Sequence, residues 1–560
     1  MKRVSKLLER FLERTEFDSY EDFKANYRLK VPEDFNFGYD IVDGWAKQQP
    51  DKLALVWCDD CGNRRDYTFS DISELSDRAA NYFLSLGLAR GDRVLMILKQ
   101  RPEVWITLVA LCKIGVVCIP ATYQLTEKDI VYRCNSAGVK AIVCVSDDGV
   151  ADHVRTCASE CTSLQYVLFV GDHGIKDGEI DYRKEIQNAK RELLRPEINS
   201  SDPMLIYFSS GTTGMPKMIM HDFYYPLGHI VTAKYWQRVE DGKLHLTMSD
   251  SGWAKFAWGK IYGQWICGAV IVAYDNDKFD AHRTLEMLCR LRVYSFCAPP
   301  TIFRFLIKED LSRYDLSFIK HASIAGEPLN PEVWKQFRDL TGLTLTEGFG
   351  QTETPVILAN FPWSDIKPGS TGKPSPLFDI DIVDDDFNSC EDGVVGHIVV
   401  RNLDKFRPKG LVREYIGDVD ANASAFRCGC YDTGDTAWRD SDGYYWFVGR
   451  SDDVIKCSGY RIGPFEVESA LMTHPSVLEC AVTAAPDPVR GQVVKATVVL
   501  VKGYEPTDAH KKVLQDHVKH VTAPYKYPRI VEFVDELPKT VSGKIKRSDI
   551  RRQTSEKGNA

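Results

Sequence analysis

Ser209-Ser210-Gly211-Thr212-Thr213-Gly214-Met215-Pro216-Lys217 follows the apolar run Met204-Leu205-Ile206-Tyr207-Phe208. A short apolar run bounded by turn-forming residues reads as a buried strand. Behind it, two glycines let the backbone turn tightly and direct N–H groups at anionic oxygens. Four hydroxyls add donors and Lys217 adds a positive charge, a set that suits a triphosphate. The segment is not a Walker A loop, because its lysine follows proline and precedes methionine. Ser/Thr/Gly compositions also serve as plain linkers; the strand in front and the lysine behind set this one apart.

Outward from this loop, segments 93–98, 141–146 and Tyr166–Val170 read as short apolar strands. They alternate with helical patterns at 72–87 and Glu103–Ile114. Such alternation predicts an α/β fold with largely parallel sheets flanked by helices, whose ligand sites lie in loops beyond the carboxyl ends of the strands. Around 431–450 the composition shifts to Asp, Gly and aromatics, predicting turns and short antiparallel strands in a small β subdomain. After residue 450 come a helix at Pro464–Met472, strands at 477–483 and 493–501, a helix at 508–520 and a strand at 529–534. That suffices for a separate α+β domain of about 110 residues. The expected division is 1–451 and 452–560, with the boundary at Asp452.

The 560 residues carry 71 basic and 79 acidic side chains, a formal charge of 71 − 79 = −8. No global basic field for nucleic acid exists, and 44% hydrophobic residues exclude a disordered or collagen-like chain. Cys112, Cys118 and Cys267 lie in apolar runs and read as reduced and buried. Cys58/Cys61 and Cys428/Cys430 lack a second pair at zinc-finger spacing. The apolar stretches 104–112 and 261–274 are too short or too broken to span a bilayer. Within 4–12, Val4, Leu7, Leu8, Phe11 and Leu12 share one helical face near Lys2, Arg3, Lys6 and Arg10. Glu9 and Glu13 count against a transit peptide, so a packed surface helix and a cytoplasmic location are expected.

Further motifs follow the glycine loop in order: Ala325-Gly326-Glu327-Pro328, Gly348-Phe349-Gly350-Gln351-Thr352-Glu353, Tyr431-Asp432-Thr433-Gly434-Asp435, the segment 449–466, and Pro538-Lys539-Thr540-Val541-Ser542-Gly543-Lys544. In this order they resemble the adenylate-forming superfamily of acyl-CoA synthetases, peptide-synthetase adenylation domains and firefly luciferase. Ser458-Gly459-Tyr460-Arg461-Ile462-Gly463-Pro464 and Ala523-Pro524-Tyr525-Lys526-Tyr527-Pro528 are most similar to medium-chain acyl-CoA synthetases and a related archaeal and bacterial group.

The resemblance implies an AMP-forming acid–thiol ligase using ATP, Mg²⁺ and CoA on a small carboxylic acid. It places ATP against Ser209, Ser210, Gly211, Thr212, Thr213, Gly214 and Lys217, with Gly326, Glu327 and Pro328 bordering the adenine. Glu347, Gly348, Phe349 and Gln351 continue that site, and Asp435, with Arg450, takes the ribose; a carboxylate suits a diol because it accepts two hydrogen bonds. Thr352 falls near the α-phosphate, and Glu353 is the Mg²⁺ ligand, in keeping with a hard cation that takes one or two protein oxygens. Lys544 is the adenylation lysine and Asp452 the hinge. Arg461 contacts substrate or phosphate, while Gln124, Ser458, Gly459, Tyr460, Arg490, Tyr527 and Arg529 face CoA. Gly350 occupies the place of a pocket-blocking tryptophan in acetyl-specific relatives, so it is expected to leave room for a longer or branched acyl group and Gly350→Trp to favour acetate. Trp253, Phe256 and Trp258 are candidates for the opposing wall of an apolar lining that disfavours dicarboxylates. Aryl-CoA ligation, loading of a carrier protein, and a silent acyl or nucleotide sensor stand as alternatives. A homodimer is left open.

Overall fold

The protein is described from a computed structural model covering residues 7–209, 215–327, 329–457, 460–487, 490–539 and 545–558, apart from the side chains of Arg461 and 555–558. Two large sheets dominate it. The first has eight strands in the order Glu414–Tyr415, Lys217–Asp222, Pro203–Ser209, Val117–Ala121, Arg93–Ile97, Ala141–Val145, Tyr166–Val170, Ile180–Asp181. Its centre is parallel, and Val117–Ala121 and Ala141–Val145 are buried along their whole length. Burial on both faces is what continuous apolar runs produce. The helix Phe69–Ser85 precedes the strand Arg93–Ile97 in the chain and Glu103–Ile114 follows it; every residue of the second helix is buried.

The second sheet has nine strands, ordered Lys373–Pro374, Leu358–Ala359, Leu345–Phe349, His321–Ile324, Ser295–Ala298, Leu244–Thr247, Val270–Asp275, Leu53–Asp59, Arg64–Thr68. It too is parallel inside and antiparallel at both edges. Two cations after Arg93–Ile97 tie the sheets together. Lys99 pairs with Asp148 and Asp277 at 2.8 Å each, and Arg101 with Asp147 at 2.9 Å and Asp275 at 2.7 Å. Each joins a loop of the first sheet to the end of a strand in the second.

A small antiparallel sheet follows: Ile380–Val383, Gly396–Val400, Cys430–Arg439 and Phe426–Arg427, with Tyr445–Arg450 along Cys430–Arg439. Beyond it, Ile455, Cys457, Ile462, Val467, Leu471 and the inner residues of Val477–Asp487 and Gly491–Leu500 form a hydrophobic core of their own. Its sheet is ordered Tyr460–Ile462, Ile455–Cys457, Gly491–Leu500, Val477–Asp487, with Ile530–Phe533 parallel to Gly491–Leu500. The helix Arg547–Gly558 packs there through Arg547, which grips Glu468 at 2.7 and 2.8 Å, and Arg551, which is ion-paired with Asp453.

The amino-terminal segment departs from expectation. Residues 4–6 lie outside the described residues; across 7–12, instead of a surface helix, a short 3₁₀ turn spans Leu8–Arg10 and Leu12 bridges Leu29. Leu7, Leu8, Phe11 and Leu12 are buried in the main core. Tertiary packing of four large apolar side chains outweighs local helix preference in so short a stretch.

Candidate active site

The strands Pro203–Ser209 and Lys217–Asp222 form an antiparallel hairpin in which Ser209 faces Lys217. The chain thus returns as a strand at Lys217, whereas a P-loop lysine opens a helix. Ser210, Gly211, Thr212, Thr213 and Gly214 lie outside the described residues, as do Pro328, Ser458, Gly459 and Lys544 and the side chain of Arg461. The tip is buttressed by the Tyr132 hydroxyl, which donates to the Pro216 carbonyl at 3.0 Å.

Lys217 opens a chain of contacts reaching the later motifs. Its ammonium lies 5.4 Å from the centre of the Tyr415 ring. The Tyr415 hydroxyl donates to Glu353 Oε1 at 3.0 Å. Glu353 is held on its main-chain side by the Val412 amide, 2.7 Å from its carbonyl. The Thr352 carbonyl accepts from His221 Nε2 at 2.8 Å. Gln351 is the hub between sheets: its Nε2 donates to the Thr433 carbonyl at 2.7 Å and to Asp435 Oδ2 at 2.5 Å, and its Oε1 accepts from the Tyr431 hydroxyl at 2.8 Å. Asp435 is buried and registers against Arg450 across the hairpin, with Arg450 Nη1 at 3.5 Å from Oδ1. Arg450 also reaches Asp452, at 3.7 Å.

Glu347, Gly348 and Phe349 close the strand that leads into this hub. Burial pushes the Glu347 carboxyl up to about 8, against a main-chain N–H from Leu329 that favours its anion. Gly326 adopts a left-handed φ of +104°, and Glu327 accepts from Thr301 Oγ1 at 2.9 Å. Lys255 donates to the carbonyl between them and the preceding strand, Ala325 O, at 2.6 Å.

Gly350 corrects the sequence reading. A Cβ there would lie 2.5 Å from the Pro355 carbonyl oxygen and 2.5 Å from the Trp258 ring, so the room left by the missing side chain is filled by Trp258. Gly348 is packed equally hard: a Cβ there would lie 2.4 Å from the Trp236 ring. The Trp258 indole is fixed by donating to the Thr354 carbonyl at 3.0 Å. Phe256 is buried against Trp105, and Trp253 caps the short helix Ala254–Gly259. Nor is the surrounding lining purely apolar. The helix Tyr225–Ile230 buries Tyr225 and His229 beside His221.

The CoA candidates are scattered. Gln124 is exposed, its main-chain N–H donating to Thr122 Oγ1 at 3.3 Å, and Thr122 in turn donates to Asp250, whose carboxyl burial raises to about 6. Arg490 is exposed. Tyr460 stacks on Tyr525 at 4.2 Å, both exposed. Arg529 donates to the Tyr527 hydroxyl at 2.7 Å. Tyr415 and His221 contact candidate residues, and Asp250 reaches Gln124 through Thr122; motif reading passes over all three. Tyr415 stands on a two-residue strand, Glu414–Tyr415, in a stretch without a motif.

A strand hairpin joining Ser209 to Lys217, a carboxylate beyond the end of an apolar strand and a buried Asp paired with Arg are the features expected of a nucleotide-activating enzyme. The comparisons agree with this class. The AMP-binding enzyme model matches residues 42–407 and the AMP-binding enzyme C-terminal domain model matches 466–544. The chain belongs to the AMP-binding enzyme family. It is 43% identical to acyl-coenzyme A synthetase ACSM3, mitochondrial, of Mus musculus over 96% of this chain and 93% of that protein. It is likewise 43% identical to ACSM4, mitochondrial, of the same species over 95% and 93%. A crystal structure of an anthranilate CoA ligase with anthranoyl-AMP superposes with a TM-score of 0.86 at 27% identity, covering 95% of this chain and 99% of that one. The Brucella canis acyl-CoA synthetase gives 0.73 at 29% identity, covering 97% and 100%. The cytoplasmic expectation is overturned here, since the curated relatives are mitochondrial. Among the described residues, no helix is long and apolar enough to cross a membrane.

Proposed function

We infer that the chain is an AMP-forming acyl-CoA synthetase, converting a carboxylic acid, ATP and CoA to acyl-CoA, AMP and pyrophosphate through an acyl-adenylate. Short- to medium-chain acids, branched ones included, are its proposed substrates. The observation that carries the reading is the Gln351 hub. It joins the Thr-Glu segment to the Asp435–Arg450 pair, while Tyr415 joins Glu353 to Lys217. Relatives at 43% identity over nearly the whole chain support the activity.

In the first half-reaction the acid's carboxylate oxygen attacks the α-phosphorus and pyrophosphate leaves. The protein positions two mutually repelling anions and offsets their charge. Lys217 and the loop amides face the phosphates, Asp435 and Arg450 hold the ribose, and Lys544 bridges carboxylate and α-phosphate. Among the described residues, no three His, Cys, Asp or Glu side chains converge as a metal cage. One carboxylate, Glu353, held by one phenol, fits a hard cation that draws its other ligands from phosphate and water. Bound there with ATP, Mg²⁺ neutralises phosphate charge.

In the second half-reaction the CoA sulfur attacks the acyl carbonyl and AMP leaves. We propose that 452–560 turns about Asp452, withdrawing Lys544 and bringing in Gly459, where a missing side chain permits close passage of a pantetheine. The separate core beginning at Ile455 supports such a unit. A mitochondrial location is proposed from the relatives' names. The homodimer is a matter for sedimentation: a species near 63.5 kDa would speak against it. The likeness to an anthranilate CoA ligase favours aryl acids as a second reading. The test is AMP and pyrophosphate release over C2–C10, branched and aromatic acids, with and without CoA. Matching AMP and thioester support the reading. Pyrophosphate without acyl-CoA indicates carrier loading, and no release at all indicates a sensor.

A further inference from the structure

Behind the segment 350–355 lies a group of buried polar side chains that the two half-reactions do not use. His221, Tyr225 and His229 are 1%, 0% and 0% exposed. The His221 ring stacks on Tyr225 at 3.9 Å, and Tyr225 meets His229 edge-on at 4.5 Å. Tyr262 and Trp258 flank His229 at 6.1 and 6.4 Å. His221 Nε2 is engaged by the Thr352 carbonyl. Four atoms of the three side chains have no hydrogen-bond partner among the described residues: His221 Nδ1, the Tyr225 hydroxyl, and both ring nitrogens of His229. Buried polar atoms are nearly always satisfied, and each exception calls for a cause. A core built only to pack would carry Phe and Leu here.

The place of the group is informative. It touches the adenylation segment twice, through Thr352 and through Trp258, which fills the space at Gly350. The group thus packs directly behind the segment assigned to the acyl-adenylate. Burial holds both imidazoles neutral, His221 at about 4 and His229 well below its usual value. A neutral imidazole both donates and accepts, and a tyrosine hydroxyl does the same. No cation in this group matches a second carboxylate.

We propose that His229 and Tyr225 select acids whose far end bears an uncharged hydrogen-bonding group, a hydroxyl, carbonyl or aromatic amine, over plain hydrocarbon acids. The proposal rests on the acyl-CoA synthetase reading and narrows its substrate class. A site built to pair with a polar substituent discriminates strongly against the analogue lacking it, because its own groups are then stranded.

The test compares kcat/KM for AMP formation within matched pairs: benzoate against its 2-, 3- and 4-hydroxy and amino derivatives, and hexanoate against 5-oxo- and 5-hydroxyhexanoate. At least one polar acid should exceed its hydrocarbon partner tenfold or more. That ratio should fall at least tenfold in Tyr225→Phe or His229→Phe, with the hydrocarbon acid gaining, since a stranded polar atom has gone. Quenching of tryptophan fluorescence by the same acids, without ATP, reads binding in any variant with low turnover and should show the same loss of preference. Hydrocarbon acids preferred by the wild type, or ratios unmoved by both substitutions, would overturn the proposal while leaving the synthetase reading intact. AMP from none of the acids would overturn both.

Discussion

Tyr415→Phe removes one oxygen and with it the hydroxyl's contact to Glu353. The tyrosine is buried, its hydroxyl lies 3.0 Å from Glu353 Oε1, and it neighbours the Tyr431 phenol. Its ring stays in the variant, so the face presented to the Lys217 ammonium at 5.4 Å is preserved. What goes is a hydrogen bond to a charged acceptor, a contact worth about 1.5–3 kcal/mol. At about 1.4 kcal/mol per tenfold, that is roughly 10- to 100-fold if the contact is fully used in the transition state. Because the bond orients the carboxylate assigned to Mg²⁺, the loss should appear in kcat/KM for ATP and in a raised half-saturating Mg²⁺ concentration. Pyrophosphate release measured across Mg²⁺ and ATP concentrations reads both, with thermal unfolding as the check on folding. A folded variant with kcat/KM and Mg²⁺ dependence within twofold of the parent would refute the assignment of Glu353.

Gly350→Trp should cost stability, because the carbonyl of Pro355 cannot retreat like a side-chain tip; overpacking of this kind costs about 1–3 kcal/mol or more. Urea unfolding should register it, and a fully stable variant that simply prefers acetate would restore the open-pocket reading. Glu347→Gln should change the pH dependence of stability. The folded carboxyl titrates near 8, far above its value in the unfolded chain, so its contribution is fully present below the unfolded value and is lost as pH rises through 8. Thermal midpoints of parent and variant should diverge in the variant's favour from pH 5 to 8, and parallel curves would contradict the burial argument.

The strands and helices that reported themselves in the sequence are those with uniform surroundings. Glu103–Ile114 and Pro464–Met472 stand as the pattern placed them, and 529–534 trims only to Ile530–Phe533. Continuous apolar runs carry a strong signal when both faces are buried. Two-residue strands such as Glu414–Tyr415 and Leu358–Ala359 carry none, since no period can be read in two residues. The hairpin return at Lys217 was hidden for a related reason: its pairing with Ser209 is a contact across the turn rather than a local preference. In the site, motif segments could be found singly, but the Gln351–Asp435 bond spans 84 positions and exists only once the small sheet is laid against the strand ending at Phe349. Gly350 misled because the absence of a side chain looks the same in sequence whether the space is open or filled from elsewhere, here by Trp258.

The central claim is that a lysine near the carboxyl terminus serves one half-reaction and leaves for the other. The direct measurement is Lys544→Ala assayed in halves: isotope exchange between pyrophosphate and ATP for adenylation, and acyl-CoA from supplied acyl-AMP and CoA for thioester formation. Loss of charge neutralisation predicts exchange reduced by about 100-fold or more, with thioester formation near the parent's rate. Equal losses in the two halves would contradict it.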